Sequence, residues 1–346
     1  MFRADYPLQE GSNGQAPNHP RRIGLLVVTL ALTILSASCK GLITKTDPTI
    51  PKLLDPLAKA EFTDLIKQLQ PFTELQSFRT SQANMLFTDA VTSEIYRYEA
   101  DSILILQRPD KIRMLIQKSS VGMRFADMVS ESNHFKVAVL NPDKYRRFLI
   151  GTNEADYSEW LAMLKGKGKE TDSGLALARP FHFTEALMMR PLLMNDPRFV
   201  FPIEEALVEE PDTRPGAKKG ARILRSYYVI SEVEVSLEGQ GPSRTRRKFW
   251  FDRGNGATFA RQQIFNQQGQ LATEVQYSDY KRLASDSAHQ WPSVILVNRP
   301  HEGYTARMTF DAKKFEVNPE LKPDAFNLEN TENLPLTDLD KPEKKP

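Results

Sequence analysis

The sequence predicts a mainly β, α+β fold in which a strongly curved antiparallel sheet hides one face beneath a few short helices. Three observations predict it. From about Phe78 onward, apolar residues recur with period two in runs dense in Ile, Val, Tyr, Phe and Thr, the mark of half-buried strands. The runs are separated by short turn sequences, which makes neighbouring strands antiparallel. Ahead of them lies one stretch of helical period, with Leu54, Leu57, Phe62, Leu65, Ile66 and Leu69 on a single stripe, an amphipathic helix with a surface to cover.

That helix is expected over 55–70, with Asp55 as N-cap, Pro56 at the first helical position and Pro71 as its stop. Residues 102–107 and 112–117 flank Arg108-Pro109-Asp110-Lys111, a turn sequence that makes the pair a hairpin. Strands are expected next at 125–129, 135–140 and 146–150. A helical interruption follows. Asn153 caps a turn, Tyr157, Trp160, Leu161 and Leu164 share a face before Gly166 and Gly168, and 183–189 forms a second short helix stopped by Pro191. Residues 209–221 lack apolar periodicity and read as a mobile loop.

Strands resume at 224–237, 246–251, 258–265, 271–280, 293–297 and 304–310, with glycine-containing turns at 252–256 and 266–269. Leu271, Thr273, Val275 and Tyr277 oppose Glu274, Gln276 and Ser278, while Tyr304, Ala306, Met308 and Phe310 oppose Thr305, Arg307 and Thr309. Such alternation gives the sheet one apolar, concave face. Residues 331–346 are polar and expected to be a disordered tail.

The amino-terminal segment has a different character. Arg21 and Arg22 precede an apolar run, 23–35, then Ser36, Ala37, Ser38 and Cys39. This is the order of a secretory signal, and the run is shorter than the roughly 20 residues of a spanning helix. A Cys directly after small residues resembles the bacterial lipobox, although Ser36 stands where that pattern usually has Leu. The reading is therefore a signal peptide at 1–38, a lipidated Cys39 and a tether at 39–54; an uncleaved signal anchor is the alternative. Lys40, in place of an Asp, points to the outer membrane by the same resemblance, so the expected location is its periplasmic face.

Charge and motifs exclude several function classes. With 46 basic and 44 acidic residues the net charge is +2, no surplus for wrapping nucleic acid. One Cys allows no intramolecular disulfide or thiolate cluster. His134, His182, His289 and His301 lack the spacing of a metal face, and there is no nucleophile elbow or P-loop. No cofactor, metal or catalytic group is expected, and the chain reads as a non-enzyme. The basic run Arg244, Arg246, Arg247 and Lys248 reads as a solvated strand end, with a dock for anionic head groups as the functional alternative.

The run Ile105-Leu106-Gln107-Arg108-Pro109-Asp110-Lys111-Ile112-Arg113-Met114, together with Trp250-Phe251-Asp252, Arg261-Gln262, Gly269 and the stretch from Glu274 to Tyr280, resembles the LolA/LolB-type outer-membrane lipoprotein-sorting superfamily over about residues 76–330. The resemblance implies an incomplete β-barrel with a helical lid, spanning 55–330 with an insertion at 151–222, and an apolar cavity for acyl chains of lipid or lipoprotein. Candidate cavity residues are Ile103, Ile105, Met114, Ile116, Met123, Phe125, Phe249, Phe251, Val275, Tyr277, Met308 and Phe310, each weighed against plain core packing. The rival reading is an envelope-assembly or stress-sensing lipoprotein that uses the same fold, and the insertion, to bind a protein partner.

Overall fold

Side chains that alternate in and out along successive strands force a sheet with one dry face, and the computed structural model shows how that face is enclosed. It describes residues 51–89, 98–141, 143, 146–155, 157, 179–236, 242–283, 286 and 288–341. The chain divides into Met1–Ile50 and Pro51–Pro346. The expected signal peptide and Cys39 fall in the first part, outside the described residues; the fold below is that of the second.

In chain order the elements are β1 (Lys52–Leu53), α1 (Phe62–Glu74), β2 (Ser77–Asp89), β3 (Tyr98–Gln107), β4 (Lys111–Lys118), β5 (Met123–Glu131), β6 (His134–Val139), β7 (Arg147–Thr152), α2 (Phe181–Leu187), β8 (Phe199–Val200), β9 (Ile203–Pro211), β10 (Arg222–Glu234), β11 (Arg244–Asp252), β12 (Thr258–Phe265), β13 (Leu271–Arg282), β14 (Gln290–Arg299), β15 (Tyr304–Phe310), β16 (Phe315–Val317) and β17 (Leu336–Asp338). Two antiparallel meanders, β2 to β7 and β10 to β15, are stitched by hairpins. They join where β15 pairs antiparallel with β2, Met308 opposite Met85. One edge is formed by β8 and β9 on β10, the other by β17 running parallel to β7. Among the described residues no pairing links those edges, so the sheet is an incomplete barrel. Gly256, at φ +65°, completes the turn after Asp252, whose carboxylate accepts from the Gly254 N–H; this left-handed backbone is one that glycine adopts without cost.

The period-two pattern lands as expected. Met85, Leu104, Leu106, Met114, Phe249, Phe251, Val275 and Met308 are wholly buried on the concave side, in one cluster that also takes in Leu65, Leu69 and Phe72 of α1.

Four expectations are corrected. The helix does not start at Asp55. Leu54 and Ala58 give their N–H groups to the carbonyls of Leu224 and Arg253, which holds that stretch extended, and α1 begins at Phe62, with the Asp64 carboxylate accepting from the Glu61 N–H at 3.4 Å. The helix also passes Pro71 to end at Glu74. Residues 209–221 are not a loop throughout, because β9 runs to Pro211 and forms a hairpin with β10. Its glutamates are staples: Glu204, Glu205, Glu209 and Glu210 pair with Lys248, Arg253, Arg222 and Arg261.

The fourth correction concerns the tail. Residues 331–341 are ordered, and 342–346 lie outside the described residues. The segment after β16 returns along the convex side of the first meander. There Phe326, Leu328 and Leu334 form a second core with Val129, Ala138, Leu140 and Phe148. Polar staples hold it: Glu332 pairs with Arg124 and Arg146, and Asp340 accepts from Thr152 and Tyr157. Arg113 binds Asp127 through two nitrogens, at 2.8 and 3.1 Å, and donates to the carbonyls of Ala325 and Asn327. The sparse apolar residues of this arm have a surface to meet, which its composition does not reveal.

Replacing Arg113 leaves Asp127, 7% exposed, without its cation and the arm without its tie. Arg113→Ala is therefore expected to lower the unfolding free energy by about 2 kcal/mol, measured by urea denaturation.

Candidate functional site

The concave face and its roof form the candidate site. Eight of the residues expected to line it, Met114, Ile116, Phe249, Phe251, Val275, Tyr277, Met308 and Phe310, lie in the single concave cluster. Phe125 is half-buried at its margin, packed against the same cluster. Three are corrected. Ile103 and Ile105 alternate with inward Ser102, Leu104 and Leu106, so they point to the convex side, where Ile105 packs on the second core. Met123 opens β5 after a tight turn and is 43% exposed.

Two helices cover the concave face. Phe72 of α1 meets Tyr277, Trp291 and Phe259 with ring centroids 5.3, 5.5 and 5.6 Å apart. In α2 the buried side chains run from His182 to Leu187, and Phe183 meets Phe87 edge-on. The expected helical face at 160–168 lies outside the described residues, as do Trp160, Leu161 and Leu164. Tyr157 is described, and its hydroxyl accepts from the Thr152 N–H at 2.7 Å and donates to Asp340.

The two roof helices are held at one point. The Arg108 guanidinium, at the β3–β4 turn, donates to the carbonyls of Phe72, Thr73 and Leu75 at 3.0, 2.8 and 2.5 Å, and to Met189 at 2.9 Å. Carbonyls at a helix end have no partner of their own, and one planar cation satisfies those of α1 and of the segment leaving α2. Burial lowers the Arg108 pKa, and the nearby Glu185 carboxylate acts the other way. A second arginine repeats the device. Arg247, paired with Glu232 and with both side chains 5% exposed, donates to the carbonyls of Arg190 and Pro191.

This corrects the reading of the basic run as a solvated strand end. Arg247 is buried against Glu232, Arg244 and Arg246 share Glu234, and Lys248 pairs with Glu204, so every cation of the run has a carboxylate partner.

Sequence reasoning missed the roles of Arg108, Arg247, Phe72 and Gln262. The Arg108 signal was present as a turn residue in a family-like motif, but its reach to helices more than 30 and 80 positions away is tertiary. His182 is a buried core histidine whose Nδ1 lies 2.7 Å from the Tyr304 hydroxyl. Burial pushes its pKa well below the usual value, helped by the charges of Arg299 and Arg179. Among the described residues no group of three or more His, Cys, Asp or Glu gathers as for a metal.

A separate, polar groove of about 740 Å³ lies on the convex side of the second meander. Several of its charges are matched within it. Glu210 pairs with Arg225 and Arg261 and accepts from the Tyr227 hydroxyl, and Arg261 lies over the rings of Tyr227 and Trp250.

Arg108→Ala should leave β3 and β4 protected but speed amide exchange at 70–75 and 187–190 by at least about tenfold, read by hydrogen–deuterium exchange. For His182 the sign follows from its lowered pKa. Below the unfolded value of 6.5, the unfolded chain takes up a proton that the folded chain refuses. Stability is therefore lost on acidification, by up to about 1.4 kcal/mol per pH unit. Denaturation midpoints between about pH 7 and 5 should show that slope, and His182→Gln should flatten it.

Neither a family model nor a curated relative matches the sequence. Among solved structures the chain is similar to a LolA superfamily protein from Nitrosomonas europaea, at 8% identity over 78% of this chain and 99% of that one, TM-score 0.39. It is also similar to a DUF1329 family protein from Desulfovibrio piger, at 11% identity over 76% and 95%, TM-score 0.40. A third is described as an outer membrane lipoprotein-sorting protein domain, from Vibrio parahaemolyticus, at 9% identity over 76% and 95%, TM-score 0.39. With identities and scores this low, the incomplete barrel with a helical lid rests on the strand pairing and the packing of α1 and α2 themselves.

Proposed function

We propose that the chain is a lipoprotein anchored through Cys39 to the periplasmic face of the outer membrane, where it shelters acyl chains during lipid or lipoprotein sorting. The observation that carries this reading is the concave face. It is predominantly apolar from β2 through β15, with methionines at 85, 114, 128 and 308, and is roofed by helices tied down at their carboxyl ends by two arginines. A thioether floor adapts to chains of varied shape, and each sheltered methylene contributes about 0.8 kcal/mol without any specific contact. Lifting α1 would exchange Leu65, Leu69 and Phe72 for acyl chain, one apolar occupant for another. No step requires a catalytic group or cofactor.

One observation favours the rival reading, a protein-binding role for the insertion. Leu193, Met194, Val200, Ile203 and Leu207 are large apolar residues exposed by 44% (Ile203) to 64% (Leu207), all within 151–222. Exposed apolar side chains of this kind suit a protein partner.

Mass spectrometry on protein extracted from its native membrane in mild detergent separates the two. Under the acyl-carrier reading, wild type carries a diacylglyceryl mass that Cys39→Ser lacks, and lipid or lipopeptide remains bound to the folded domain. An unmodified Cys39 with its signal intact would sink the anchor. A lipid-free domain retaining a stoichiometric protein partner would transfer the assignment to the insertion.

A further inference from the structure

Part of the concave side is left bare. In β10 the even-numbered side chains point to that side, Tyr228 into the main core and Ser226 buried beside it. Leu207 of β9 stands opposite Ser226 on one flank, and Leu53 of β1 opposite Leu224 on the other. Paired residues, and alternate residues of one strand, share a side, so Leu53, Leu207 and, four places earlier, Ile203 all face the concave side. They are 39%, 64% and 44% exposed. Among the described residues β9 pairs with β10 alone, so this apolar strip borders an open sheet edge.

The charges around the strip suit lipid. Glu205 and Glu209 share its side of β9 and are matched by Arg253 and Arg222, and Asp212 in the β9–β10 turn is matched by Arg214. Lys52, next to Leu53, and Lys218 and Lys219 of that turn are exposed and pair with no carboxylate among the described residues. An apolar strip with surplus cations on the adjoining segments is the composition of a surface that lies in an anionic membrane interface. Connectivity points the same way. Eleven residues, 40–50, separate Cys39 from Pro51 at the start of β1, a length that reaches at most about 40 Å. We infer that this edge, with Leu53, Ile203 and Leu207 immersed and Lys52, Lys218 and Lys219 at phosphate level, rests in the surface of the anionic bilayer that carries the anchor. The inference rests on the anchored reading and adds its orientation: the open side of the sheet meets the membrane from which acyl chains come.

The test uses the full chain in vesicles of phosphatidylethanolamine and phosphatidylglycerol, with a nitroxide placed through Leu207→Cys, through Ile203→Cys or, as a control in the β4–β5 turn, through Val121→Cys, a position 64% exposed. Collision rates with oxygen and with a water-soluble nickel chelate give the depth of each label. Those at 207 and 203 are expected about 5–10 Å inside the headgroup boundary, and that at 121 in water. Lys218→Glu together with Lys219→Glu should raise the first two towards water. Cys39, the one native thiol, takes no nitroxide when acylated. A label at 207 as open to nickel as that at 121, with Cys39 blocked, overturns the docking and leaves the anchor standing. A label shielded from both collision partners means that protein covers the edge, and also overturns the docking. A nitroxide on Cys39 itself removes anchor and docking together.

Discussion

One guanidinium organises the roof of this molecule. Arg108 sits in a β-turn, a place where an exposed arginine would ordinarily serve only solubility, yet it reaches four backbone carbonyls from two separate segments. The geometry suits arginine alone, because its rigid fork offers several donors in one plane and keeps its charge when partly desolvated. It also explains how α1 ends. A helix that continues past Pro71 would leave its last carbonyls facing an apolar core, and the cation removes that penalty. Arg247 does the same for the chain leaving α2, at the cost of burying its own carboxylate partner, Glu232. The lid is thereby held by a few directional contacts at one margin, and everywhere else by nonspecific apolar packing.

The sheet uses its two faces differently. The concave face of both meanders gathers into one core, while the convex face of the first meander is covered by the C-terminal arm and that of the second carries paired charges. This division accounts for the apolar residues that point the wrong way for a simple half-barrel, such as Ile105, which packs against the second core that the arm completes.

Strand positions were legible in the sequence because period-two alternation is a local property and each hairpin carries its own turn signal. The half-barrel was legible through the 105–114 motif and the inward sets of β13 and β15. What sequence left hidden has a common cause: long-range partners. The start of α1 was misplaced because the donors at 54 and 58 are claimed by β10 and the turn after β11. Two of the three misassigned cavity candidates, Ile103 and Ile105, are as apolar as their inward neighbours, and only the arm, itself disguised by its polar composition, explains Ile105. Gln262 was visible as a polar residue in a strand, but its inward direction depends on the bulge between Trp250 and Phe251 in the pairing of β11 with β12.

The seam between the meanders bears on how the domain comes to be. Every other pairing within them closes a short hairpin loop, but β2 and β15 bring together residues 85 and 308. The entropy of closing so long a loop grows only logarithmically with its length, yet it must be met before any of the seam's contacts form. Each meander therefore has the means to assemble early and alone, and their union sets the pace of folding. Until then β2 and β15 are free edges flanked by apolar faces, which makes an unfinished chain a natural client for chaperones that shield strand edges.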